Sequence, residues 1–153
     1  MMTTAEIRQA LEADAAIIAD LIYSTSLACC FTPEQPCPEW YRESVQPDKV
    51  GSLLKSEHLN WLVATQGQEL VGVLAIGDKN HVKYFFTHPS YQNQGIGKQL
   101  WQFALRNGAL AYPLTVRSSL FAVPVYERLG FIASESPKIF NGMHYQTMVA
   151  DRG

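Results

Sequence analysis

The sequence predicts a mixed, mostly antiparallel sheet of about six to seven strands flanked by helices, an α/β (α+β) fold. Three observations carry that expectation. Three apolar runs of strand length follow one another between Trp61 and Thr87, joined by short turns, which is the pattern of an antiparallel meander. A strand, a helix and another strand then occupy the centre of the chain, between His81 and Arg117. Near the C-terminus the Asn141-Gly142 pair is the strongest short hairpin signal in the chain, because both residues tolerate the positive φ that a tight two-residue turn requires.

In order, Ile7 to Ala10 reads as a short first strand. From Asp14 onward, Ile17, Ile18, Leu21 and Ile22 fall on one face of an amphipathic helix. The pattern breaks between Ser24 and Glu39, where Pro33, Pro36 and Pro38 crowd the chain. Thr32-Pro33-Glu34-Gln35 has the form of a capping box, but Pro36 and Pro38 limit any helix that starts there. Helices are expected from Glu39 to Ser44 and from Asp48 to Ser56. The meander follows as Trp61–Thr65, Leu70–Ile76 and His81–Thr87, and then a helix from Gly97 to Asn107 that Gly108 stops. A strand at Leu114–Arg117, a helix from Ser119 to Leu129, and strands at Phe131–Ser134 and Met143–Val149 complete the expectation.

With 153 residues, a single domain spanning 1–153 is the natural expectation. The chain is 47% hydrophobic and 17% charged, as in ordinary soluble globular proteins. A net charge of −2 with scattered basic residues leaves no electrostatic footprint for nucleic acid or an anionic membrane. No apolar run approaches the roughly 18 residues of a membrane span, and the first residues lack a secretory signal, so a cytoplasmic location is expected. Cys29, Cys30 and Cys37 read as reduced thiols that pack or line a cleft; they form no CxxC pair, and no metal is expected.

The stretch from Tyr91 to Lys98 organises the functional reading. A strand, a polar turn carrying Gly95 and Gly97, and a helix start together build an anion site, since the first N–H groups of a helix lack intrahelical partners. A Walker A loop is excluded because Gln92 stands at its first glycine and Gln99 at its hydroxyl position. A dinucleotide fingerprint fails at Leu100. What remains is Gln-x-x-Gly-x-Gly: Gln92, Gly95, Gly97.

Here the chain resembles the GNAT superfamily of N-acetyltransferases. Phe85 to Gly97 is similar to the family's (Q/R)xxGx(G/A) motif, and Ala122 to Phe131 resembles its second signature, with Tyr126-Glu127 and Gly130-Phe131. The resemblance covers most of the chain. It implies a sheet splayed between its fourth and fifth strands and acetyl-CoA as co-substrate. Backbone groups of Gln92, Asn93, Gln94, Gly95, Ile96, Gly97 and Lys98 would hold the pyrophosphate, and the strand edge at Phe85, Phe86 and Thr87 would pair with the pantetheine arm.

The resemblance also implies direct transfer to an amine of a small molecule, peptide or protein. Tyr126 would protonate the departing thiolate, and His81 stands where some members carry a glutamate base, with Glu34, Tyr84 and His144 as fallbacks. Phe31, Trp40, Tyr41 and His144 would border the acceptor. Arg117 departs from the family's pattern at the end of the fifth strand. A homodimer is an expectation from the fold, and a CoA-binding sensor without turnover is the alternative function.

Overall fold

In the computed structural model, which describes residues 5–152, helices cover both faces of a single eight-stranded sheet. The strands are β1 (Glu6–Gln9), β2 (Leu59–Gln66), β3 (Glu69–Gly77), β4 (His81–Thr87), β5 (Leu114–Ser118), β6 (Ile132–Ala133), β7 (Lys138–Phe140) and β8 (Met143–Ala150). Their order is β1-β2-β3-β4-β5-β8-β6, with β7 also paired to β8. All neighbours are antiparallel except β4 and β5. The helices are α1 (Ala15–Cys29), α2 (Glu39–Ser44), α3 (Pro47–Leu54), α4 (Ile96–Arg106) and α5 (Val123–Arg128).

The strand count exceeds the expected six to seven. Residues 131–140 make two short strands instead of one, separated by Ser134-Glu135-Ser136-Pro137. The Asn141-Gly142 turn joins β7, not Phe131–Ser134, to β8, and both turn residues have positive φ. Helix boundaries moved for identifiable reasons. The helix α1 runs on to Cys29 because Thr25 and Ser26 are buried against the fold, and Ser26 bonds the Tyr41 hydroxyl at 2.8 Å. The Thr32 hydroxyl does accept the Gln35 N–H at 3.0 Å, but only a turn forms there, since prolines at 36 and 38 prevent continuation. Ser119 caps another turn through the Ala122 N–H, so α5 begins at Val123.

Alternation along β4 divides the core into two. Val82 and Phe85 face α4 and α5, with Leu100, Trp101, Tyr126 and Phe131; Tyr84 and Phe86 face α1 to α3, with Ile18, Ile22, Tyr41 and Val50. The step from Ile76–Val82 to Ala75–Tyr84 leaves Lys83 as an extra residue, a bulge that lets Val82 and Phe85 share a face three residues apart. At the sheet edge, Arg8 of β1 donates to both carboxylate oxygens of Asp14, at 2.8 and 3.2 Å, and the Leu11 N–H donates to the same group at 2.7 Å. These contacts, led by the Arg8 hydrogen bond, hold the Asp14 carboxyl below its ordinary value.

A carboxyl whose folded pKa is depressed stabilises the fold fully above its unfolded value near 3.8 and loses that contribution as pH falls through the folded one. Asp14→Asn is therefore expected to cost about 1–2 kcal/mol at pH 7. The cost should vanish near pH ~2–3 in urea-unfolding measurements. A cost that persists in acid would contradict an ionic role for the pair.

Candidate functional site

The decisive backbone feature is where β4 and β5 part. They pair in parallel only at His81–Thr115 and Val82–Val116. Beyond that point β4 remains bonded to β3 through Thr87, and β5 remains bonded to β8 through Ser118. Between Tyr84 and Thr87 the β5-facing edge of β4 therefore has no strand partner. A cleft of about 470 Å³ occupies the gap.

Phe85, Phe86 and Thr87 form one wall of the cleft, and the glycine turn closes one end. Asn93 and Gly95 both have positive φ, and Gly95 at +81° is the N-cap of α4, so the N–H groups that open the helix face the cleft end. Gly97 packs on β4: a Cβ there would meet Phe85 Cζ at 3.4 Å and Thr87 Oγ1 at 3.6 Å, ordinary contact distances. The Gln92 side chain ties the turn to the strand by donating to the Thr87 carbonyl at 3.1 Å. An anion or diphosphate fits this cradle: Ile96, Gly97 and Lys98, whose N–H groups open α4, line it, and Lys98 and Arg128 are the cations on the described lining.

The opposite walls come from α5 and the end of α1. Tyr126 is 5% exposed, with its ring against Phe85 at 6.2 Å and Phe131 at 5.4 Å. Burial pushes its phenol well above the ordinary value, with the nearby Cys30 adding to the shift, so it stays protonated at neutral pH. Thr25, Cys29 and Cys30 line the α1 side, and Ser119, Phe121, Ala122 and Val125 the α5 side. Burial raises the Cys30 thiol too.

A second, much smaller cavity of about 20 Å³ adjoins the first, and Cys30 and Ser119 line both. Its other described walls are Phe31, Gln35, Leu120, Gly142, Met143 and His144.

Of the ten residues expected at the donor, nine line the large cleft; Gln94 does not. Tyr126 lines it as well. His81 does not: it sits at the closed end of the wedge, with Nδ1 2.8 Å from Thr115 Oγ1. Burial lowers its pKa, with Arg117 and Lys83 adding to the effect. Phe31 and His144 do meet in the small cavity, whereas Trp40 and Tyr41 line neither.

Trp40 instead clamps the β7–β8 turn, donating to the Asn141 carbonyl at 2.7 Å and packing edge-on against Phe140 at 5.5 Å. Tyr41 is core, bonded to Ser26 and packed on Phe31. Arg117 lies over the Tyr145 ring at 5.7 Å. The described residues contain no group of three or more metal-ligating side chains, and no helix among them is long and apolar enough to cross a membrane. Ala122, Val125 and Arg128 lie within the second signature but were not named as site residues; Thr25, Ser119 and Phe121 lie outside both motifs, and only long-range packing brings them to the cleft.

An open splay beside a glycine turn, with a buried tyrosine across the gap, is the distinctive feature of this fold. A family model for the acetyltransferase (GNAT) domain matches residues 29–152, and the chain belongs to that family. No functionally curated protein matches the chain significantly.

Among solved structures, a GCN5-related N-acetyltransferase from Rhodopseudomonas palustris is similar at 23% identity and a TM-score of 0.82, covering 99% of this chain and 98% of that one. The PaiA N-acetyltransferase from Thermoplasma acidophilum, in complex with coenzyme A, superposes with a TM-score of 0.73 at 17% identity, over 97% and 99% of the two chains. YncA from Salmonella typhimurium, with its cofactor acetyl-CoA, gives 0.69 at 19% identity, over 97% and 94%. At these identities the structures establish the fold.

Proposed function

We propose that the protein transfers an acetyl group from acetyl-CoA directly to an amine of a small molecule, peptide or protein. The observation that carries this is the wedge between β4 and β5: a strand edge without a partner, an anion cradle at one end, and a buried tyrosine on the facing wall. The backbone N–H groups from Gln92 to Lys98 hold the diphosphate, with Lys98 adding charge. The free edge at Phe85 to Thr87 pairs with the amide-bearing arm as an added strand would. A β4 N–H near Phe86 or Thr87 stabilises the charge that develops on the carbonyl oxygen.

In the transfer a bond forms from the amine nitrogen to the acyl carbon, and the carbon–sulfur bond breaks. The sulfur leaves with the electron pair and takes a proton from Tyr126, which is protonated at neutral pH, and the proton that the nitrogen sheds as the amide forms returns to the phenolate directly or through solvent. An amine of ordinary basicity, near 10.4 for lysine, must lose a proton before it attacks. The described residues of the large cleft include no histidine and no carboxylate. His144 lines the adjoining cavity, next to the shared Cys30 and Ser119, so we assign the amine's proton to His144 in preference to His81.

Free-thiol release from acetyl-CoA, measured across a panel of small amines, amino acids and lysine peptides, tests the activity. Release stimulated by an acceptor is expected; binding of acetyl-CoA with no stimulated release would favour a sensor. With an acceptor in hand, Tyr126→Phe should lower kcat about 100-fold with acetyl-CoA affinity nearly unchanged. A variant with unchanged kcat across pH would remove Tyr126 from the chemistry. His144→Gln should lower kcat/KM at neutral pH about 100-fold, and His81→Gln should leave it within about twofold. The opposite pattern would return the base to His81.

A further inference from the structure

The small cavity beside His144 limits what the acceptor amine can be. Its volume of about 20 Å³ has room for about one water-sized group, so a primary amine nitrogen fills it and the rest of the acceptor stays outside. Of the eight described residues on its wall, only Cys30 and His144 titrate, and no lysine, arginine, aspartate or glutamate is among them. Burial raises the Cys30 thiol, which therefore stays neutral at neutral pH. Glu34, next to the wall residue Gln35, is exposed and is not on the wall.

The register of β7 and β8 makes the rim apolar. Ile139 pairs with His144, and Lys138 with Tyr145. Opposite residues of an antiparallel pair share a face and successive residues alternate, so Ile139 stands beside His144 while Lys138 falls on the other face. Arg117 lies on that other face too, over the Tyr145 ring, and Lys138 is committed to Glu135 at 3.1 Å. Leu120 belongs to the cavity wall and is still 42% exposed, so the wall reaches solvent there; Ile139 is 63% exposed. A second charge on the acceptor would lie against these apolar side chains with no partner of opposite sign, whereas an apolar skeleton would cover them and leave water.

We propose that the acceptor is a primary amine on an uncharged apolar skeleton, alkyl or arylalkyl, with its nitrogen in the small cavity beside His144 and its skeleton over Leu120 and Ile139. The proposal rests on the transferase reading above and narrows its acceptor class. Diamines and polyamines, amino acids, and lysines of charged peptides each bring a further charge for which this rim has no partner.

Acceptor-stimulated thiol release by the full chain, at one pH and saturating acetyl-CoA, tests this with butylamine, phenethylamine, putrescine, γ-aminobutyrate and a lysine peptide with charged flanks. Putrescine and γ-aminobutyrate keep the four-carbon skeleton of butylamine and add one charge of either sign. Butylamine and phenethylamine should exceed the other three in kcat/KM by about tenfold or more. Ile139→Asp and Leu120→Asp, both at exposed positions, should each raise the putrescine-to-butylamine ratio about tenfold, because a carboxylate then meets the second ammonium. Equal or better use of putrescine, γ-aminobutyrate or the peptide by wild type, or an unchanged ratio in both variants, would overturn the proposal. Release with none of the amines while acetyl-CoA is bound would overturn the transferase reading itself, and the proposal with it.

Discussion

Two strands that begin side by side and then part are the constraint on which the rest of this molecule depends. The parallel contact between β4 and β5 lasts for two residue pairs, and each strand then follows its outer neighbour, β3 or β8. A sheet that splays in its middle exposes backbone donors and acceptors that water or a ligand must satisfy. The two cores keep the gap from closing. Trp101, Tyr126 and Phe131 pack as a cluster under one face of β4, and Trp61, Tyr84 and Phe86 stack along the other. The bulge at Lys83 lets one short strand feed both cores while its free edge stays aimed at the gap.

The glycine turn and the tyrosine lie at the two sides of that gap because of local sequence. Asn93 and Gly95 supply the left-handed backbone that turns the chain into α4, and Gly97 seats the helix start against Phe85 and Thr87 of β4. Pro124 sits in the first turn of α5, two residues before Tyr126, and the Phe131 N–H returns to the Tyr126 carbonyl at 3.0 Å, fixing the tyrosine at the cleft wall. The glycine-turn end of the cleft is therefore built mainly from backbone conformation. The small adjoining cavity is built from three separated segments and shares Cys30 and Ser119 with the cleft.

That difference explains what could be read from the sequence. The meander, the central helix and the Asn141-Gly142 turn were legible because periodicity and turn chemistry are local. So was the glycine cradle, since Gln92, Gly95 and Gly97 carry it within six residues. The divided strand pair β6 and β7 was not legible, because strands of two and three residues show no alternation. Trp40 looked like a cleft aromatic because composition cannot show that its indole N–H is committed to Asn141. His81 has the right offset from Gln92, but an offset along a strand does not report which cavity the side chain reaches. Thr25 carried no signal at all; that it lines the large cleft is visible only in three dimensions.

Backbone hydrogen exchange with and without acetyl-CoA tests the central claim most directly. If the splay holds the donor as an added strand, N–H groups between Phe85 and Thr87 and between Gln92 and Lys98 gain protection on binding. The β7–β8 turn, which Trp40 already fixes, should change little. Protection confined to other elements, or none on β4 and the glycine turn at saturating acetyl-CoA, would contradict the account.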